Sequence, residues 1–162
     1  MPKPPELVDA FDDPDFGRIE YWRSHGRYKP HDAIFDKPYT SGEWSGSARL
    51  ASGHTIKLAF EGDFDDAASF ANVFGVRTRA TYAALVADEG ALKHRIAAAY
   101  AAAIADLDAA AFADSLKIDT VELWQLDGEI GIEVWCDAEG TTLGDHSARA
   151  TFDEEGNLKE VE

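Results

Sequence analysis

The stretch Thr120-Val-Glu-Leu-Trp-Gln-Leu-Asp-Gly-Glu-Ile-Gly-Ile-Glu-Val-Trp-Cys136 decides the fold. Two runs of alternating residues flank Asp127-Gly128, a pair suited to a two-residue turn with positive φ at both central positions. Such a turn sets Leu123 opposite Ile132 and Val121 opposite Val134. Successive strand side chains point to opposite faces, so these four residues mark a core face. The other face then carries Glu122, Trp124, Glu133 and Trp135, with Gly131 beneath Trp124.

The same alternation extends outward. Glu43–Ala51 and His54–Glu61 form a second hairpin around Ser52-Gly53. Trp44, Ala48 and Leu50 share one face; Ile56, Leu58 and Phe60 share one face of the partner strand, with Thr55, Lys57 and Glu61 pointing away. Gly17–Trp22 reads as a short first strand. Residues 1–16, rich in Pro and Asp, read as a loosely docked arm held by Leu7, Val8, Phe11 and Phe16. Residues 23–41, with Gly26, Pro30 and Pro38, read as a long ordered loop.

Between the hairpins lies helical sequence. A short helix is expected around Ala67–Phe74, and a longer region from Thr78, as its cap, to Asp114. Asp88 is expected to cap a new helix, in which Leu92, Ile96, Tyr100, Ile104 and Leu107 form an amphipathic stripe. Ala97–Ala103 has very high helix propensity, and its small side chains let a helix lie close against a sheet. After it comes a meander: Lys117–Leu126, Glu129–Cys136, His146–Phe152 and Leu158–Val161. Strands, then helices, then strands predict a single α+β domain over residues 1–162. Antiparallel hairpins and a C-terminal meander should pack against a central helical segment.

Composition narrows the function. The 162 residues hold 15 Lys and Arg against 31 Asp and Glu, a net charge of −16. Phosphates need cationic side chains, so nucleic acid and anionic membranes are disfavoured as partners. An acidic face for a basic protein partner is the sharper expectation, against simple solubility. The N-terminal Met1-Pro-Lys-Pro-Pro-Glu lacks an apolar leader segment, and no run approaches 18 apolar residues, which predicts a soluble cytoplasmic protein. Cys136 is the single cysteine and alternates onto the core face, where an inert thiol is expected.

Signatures of chemistry are few. There is no phosphate-binding Gly-rich loop. Gly42-Glu-Trp-Ser-Gly46 places its serine one position too late for a nucleophile elbow. Histidines 25, 31, 54, 94 and 146 show no metal-ligand spacing, and the Asp137–Asp145 turn departs from the calcium-loop pattern. No metal or other cofactor is therefore expected. Asp63, Asp65 and Asp66 suit a helix cap; Asp12, Asp13 and Asp15 suit a solvated arm. Glu122 and Glu133 face each other, with Arg149 expected on the same face to neutralise them in a Glu–Arg–Glu ladder.

Phe16-Gly-Arg-Ile-Glu-Tyr, Trp44-Ser-Gly-Ser-Ala-Arg-Leu, Ile56-Lys-Leu, a helical pair and Ile130-Gly-Ile-Glu-Val-Trp-Cys-Asp-Ala-Glu-Gly together resemble a group of small uncharacterised bacterial proteins, some of them immunity-like proteins of toxin loci. The resemblance covers most of residues 14–162. It departs from the group's Trp-Asp-x-Glu-His-Gly turn, because Cys136 follows Trp135 and no histidine precedes Gly140. It implies a non-enzymatic protein-binding role, masking a basic or hydrophobic surface of a protein partner, and supplies no catalytic residues. The expected contact residues are Trp124, Trp135, Glu122, Glu133 and Arg149. Two alternatives stand beside this. One is a small-molecule-binding protein or enzyme with a pocket near residues 23–41, using His25, His31, Tyr28 and Tyr39. The other is a structural subunit whose tryptophan face packs on its own helices or on a second copy.

Overall fold

The computed structural model describes residues 3–28, 37–137 and 147–162, with the side chains of 26–28 and 37–40 left aside. Eight strands form one sheet in sequence order: β1 (Glu6–Asp13), β2 (Gly17–Tyr28), β3 (Lys37–Arg49), β4 (Thr55–Glu61), β5 (Lys117–Leu126), β6 (Glu129–Asp137), β7 (Ala148–Asp153) and β8 (Leu158–Val161). Four helices lie between β4 and β5: α1 (Ala67–Val73), α2 (Val76–Ala87), α3 (Glu89–Ala103) and α4 (Ala109–Ser115). Every neighbouring pair is antiparallel except β4 and β5, which run parallel. Parallel neighbours need a crossover connection, and the helical segment supplies it. The architecture is α+β, as expected.

The Asp127-Gly128 hairpin has the register read from sequence: Leu123↔Ile132, Val121↔Val134, Glu122↔Glu133 and Trp124↔Gly131. Asp127 (φ 52°) and Gly128 (φ 81°) both take the positive φ that the turn requires. Val121, Leu123, Ile132 and Val134 are buried in one core with Leu92, Ile96 and Tyr100 of α3 and with Ile56, Leu58 and Phe60 of β4. The α1 end of this core is aromatic. Phe70 sits with ring centroids 5.1 Å from both Phe60 and Phe64 and 5.2 Å from Phe74, mostly edge to face.

Several expectations are corrected. Residues 6–13 of the expected arm are a strand, paired with β2 from Glu6↔Arg23 to Asp13↔Gly17. Its apolar pattern is broken by a bulge between Leu7 and Asp9, leaving Leu7 and Val8 exposed while Phe11 and Phe16 pack on the core. Residues 23–28 and 37–41 of the expected long loop belong to β2 and β3, paired as far as Tyr28↔Lys37; residues 29–36 lie outside the described set. Pro38 is tolerated because β4 meets β3 only from Trp44 to Arg49, so near Pro38 the strand has a neighbour on one side alone.

Gly75, not Thr78, occupies the N-cap of α2. Thr78 is buried inside the helix, its hydroxyl donating to Glu154 Oε1 at 3.2 Å. Asp66 and Asp88 do cap α1 and α3, accepting from the backbone N–H of Ser69 and Ala91. The stripe ends earlier than its periodicity suggests: Ile104 is the C-cap of α3 and 36% exposed, and α4 follows as a separate helix. The strand expected from His146 begins at Ala148.

Asp13 is no solvated arm residue. It is buried and receives a two-pronged salt bridge from Arg79, at 2.7 and 2.8 Å, and Arg79 also reaches Asp15 at 2.7 Å. The guanidinium lies 5.2 Å from the Phe16 ring centroid and 5.6 Å from that of Phe70. This contact clamps the β1–β2 turn onto α2.

Candidate functional site

The helices pack on the sheet face that carries Leu58, Phe60, Leu123 and Val134. Alternation sends the intervening side chains to the opposite face. There the registers align three rows across the strands. One holds the pair Trp22–Glu43 on β2 and β3 and the run Glu61–Trp124–Gly131–Asp153 from β4 to β7, and the next runs Glu20–Ser45–Ala59–Glu122–Glu133–Thr151–Glu160. The third runs Ser47–Lys57–Thr120–Trp135–Arg149. Acids dominate the first two rows, and both cations sit in the third.

The expected contact residues Glu122, Trp124, Glu133, Trp135 and Arg149 thus share one face, and all five are half-buried. The Glu–Arg–Glu ladder does not form. Arg149 bridges to Glu162 at the C-terminal end, and its guanidinium stands 5.3 Å from the Trp135 ring centroid. Register explains this: Arg149 pairs with Trp135, while Thr151 occupies the place beside Glu133. Lys57 pairs with Glu43 at 2.8 Å. Among the described residues, Glu61, Glu122 and Glu133 make no ion pair.

The electrostatic consequence falls on Glu122. Partial burial raises its pKa above its ordinary value of 4.5, and the charges of Glu133, Glu61 and Glu43 raise it further, with Lys57 opposing. A cation brought to this face would meet carboxylates whose own counter-charge is missing. Ala59 leaves a low point in the acidic row. A hollow of about 420 Å³ bordered by Lys57, Thr120 and Trp135 and one of about 540 Å³ bordered by Glu61 and Gly62 both reach Glu43, Ala59 and Glu122.

Glu43, Glu61 and Lys57 were not singled out from sequence as part of this site. Their outward direction is legible for Lys57 and Glu61. That β4 lies beside β5, across more than fifty residues of helical sequence, leaves no local signal.

Most of the alternative site near residues 23–41 lies outside the described residues. His25 is 3.7 Å from Glu6 Oε2, across the β1–β2 pair. His31 and the side chains of Tyr28 and Tyr39 lie outside the described residues. His54 Nε2 is 2.8 Å from the Ile118 carbonyl and His94 Nδ1 is 2.8 Å from that of Gly90. Among the described residues, no group of three or more His, Cys, Asp and Glu is placed to hold a metal ion. The Cys136 thiol is buried, which pushes its pKa up to about 12 and disfavours the thiolate form. Among the described residues, no helix is long and apolar enough to cross a membrane.

Comparison with protein-family models, with curated proteins and with solved structures gives no match.

Proposed function

We propose that the chain is a non-enzymatic protein-binding module, immunity-like in action, which masks a basic surface of a protein partner with the sheet face opposite the helices. The observation that carries this is the set of the half-buried Glu122 and Glu133 and the exposed Glu61, carboxylates that make no ion pair among the described residues and are bordered by Trp124 and Trp135. Leaving like charges opposed across a strand pair costs stability. A bound cationic surface offsets that cost. Aromatic side chains are favoured anchors at the centre of an interface, and complementary charge sets orientation and speed of encounter.

The test uses the product of the neighbouring gene as the first candidate partner, titrated by calorimetry. Trp124→Ala should weaken binding by more than about 30-fold, the size of a contact hot spot. Glu133→Gln should weaken it by less and flatten its dependence on salt. A bound partner whose affinity is unchanged by both substitutions would place the interface elsewhere.

A further inference from the structure

Trp124 combines three observations that its role as a contact anchor does not explain. Its indole lies directly on Gly131, its cross-strand partner: a Cβ built on Gly131 would collide with the Cε2 and Cζ2 atoms of the ring. Its Nε1–H is sealed from solvent and has no acceptor, and no other buried side-chain nitrogen or oxygen among the described residues is unpaired. Beside it opens a hollow of about 520 Å³ bordered by Gly131, Thr151, Asp153 and Lys159, with room to receive a displaced ring.

A buried donor without an acceptor is a stored cost, released as soon as the group finds a partner or water. Tyr21 makes a useful contrast. It too lies over a glycine, Gly42, yet it also stacks on Trp44 at 4.9 Å between centroids. Trp124 has no aromatic neighbour of that kind among the described residues.

We propose that Trp124 is a two-position latch. In the free chain the ring rests on Gly131 with its N–H unpaired. In the second position it swings about its two side-chain torsions off the glycine, and the N–H becomes available to an acceptor. On this face the acceptor is a backbone carbonyl of the docked partner, because the nearby acids Glu61 and Glu133, which make no ion pair among the described residues, repel a carboxylate. The role as a docking element rests on the proposed binding function, but the motion belongs to the free chain and is tested there, so either can fail without the other.

The experiment is ¹⁵N relaxation dispersion on the indole N–H groups of the full chain, whose four tryptophans are assigned by single Trp→Phe changes. The expected result is millisecond exchange at Trp124 and flat profiles at Trp22, Trp44 and Trp135. Gly131→Ala should remove the resting position, giving one Trp124 signal without exchange at the shift of the minor state and faster acrylamide quenching. A flat Trp124 profile in the native chain overturns the latch whether or not the alanine variant folds. So does a Gly131→Ala signal that stays at the native shift.

Discussion

Asp13 and Glu122 are both carboxylates taken partly out of water, and they have opposite fates. Burial alone would raise the pKa of Asp13, but hydrogen bonds from Arg79 and from the N–H groups of Phe16 and Asp15 outweigh it and hold the value below 3.8. Glu122 has burial and three neighbouring acids pushing the same way, with Lys57 alone opposing them. The first arrangement supplies the fold with a clamp. The second leaves the fold with an unmet charge. Carboxylates that a chain neutralises internally are structural, whereas those left among like charges are where a cationic partner gains most.

The covered side of the strand bearing Glu122 sets the scale for breaking this comparison. Leu123→Ala should cost roughly 2–5 kcal/mol, because the side chain is fully buried and its removal leaves a cavity in the shared core. Chemical denaturation measures it; a change under about 1 kcal/mol would mean that the helices do not pack on this face as described.

Next comes the clamp. Arg79→Ala should destabilise by about 3 kcal/mol, since it strands the buried Asp13 and removes the cation from between two aromatic rings. The pH dependence has a definite sign. The folded-state pKa of Asp13 lies below its unfolded value, so its contribution is fully present above pH 3.8 and is lost as pH falls through the lower folded value. Asp13→Asn should therefore flatten the acid limb of the stability curve. An unchanged acid limb would show that the clamp is not coupled to folding.

The smallest effect separates the two carboxylates most cleanly, because its direction is reversed. Glu122 has a raised folded-state pKa, so it penalises stability as pH rises from its ordinary 4.5 through the raised value. Glu122→Gln should then stabilise the protein at neutral pH, by under about 1 kcal/mol, with the gain vanishing in acid. Thermal melts at pH 4 and pH 7 read this out. A loss of stability at pH 7 would mean that Glu122 has found a cation after all.

What was legible in the sequence follows the range of the interactions. The β5–β6 hairpin could be read to the residue, because its turn and its alternation lie within seventeen consecutive positions. The caps at Asp66 and Asp88 were equally local. The N-terminal strand was not legible: Pro and Asp dominate its composition, a bulge breaks its alternation, and its anchor, Arg79, lies sixty-six positions beyond Asp13. The five expected contact residues were placed on one face correctly, but the partner of Arg149 was not, since the register of β7 brings it to Trp135 rather than between the two glutamates. Glu61 joined the acidic group only through the parallel β4–β5 pair, which depends on how four helices fold back over the sheet.

The central claim is that the face opposite the helices is open and acidic, with tryptophans at its centre. The most direct test is quenching by ions of opposite charge. In a Trp22→Phe, Trp44→Phe double variant, the remaining fluorescence comes from Trp124 and Trp135. At low salt, caesium should quench it better than iodide, and the difference should shrink as inert salt screens the carboxylates. Equal protection from both ions would contradict an open face, and preferential quenching by iodide would contradict an acidic one.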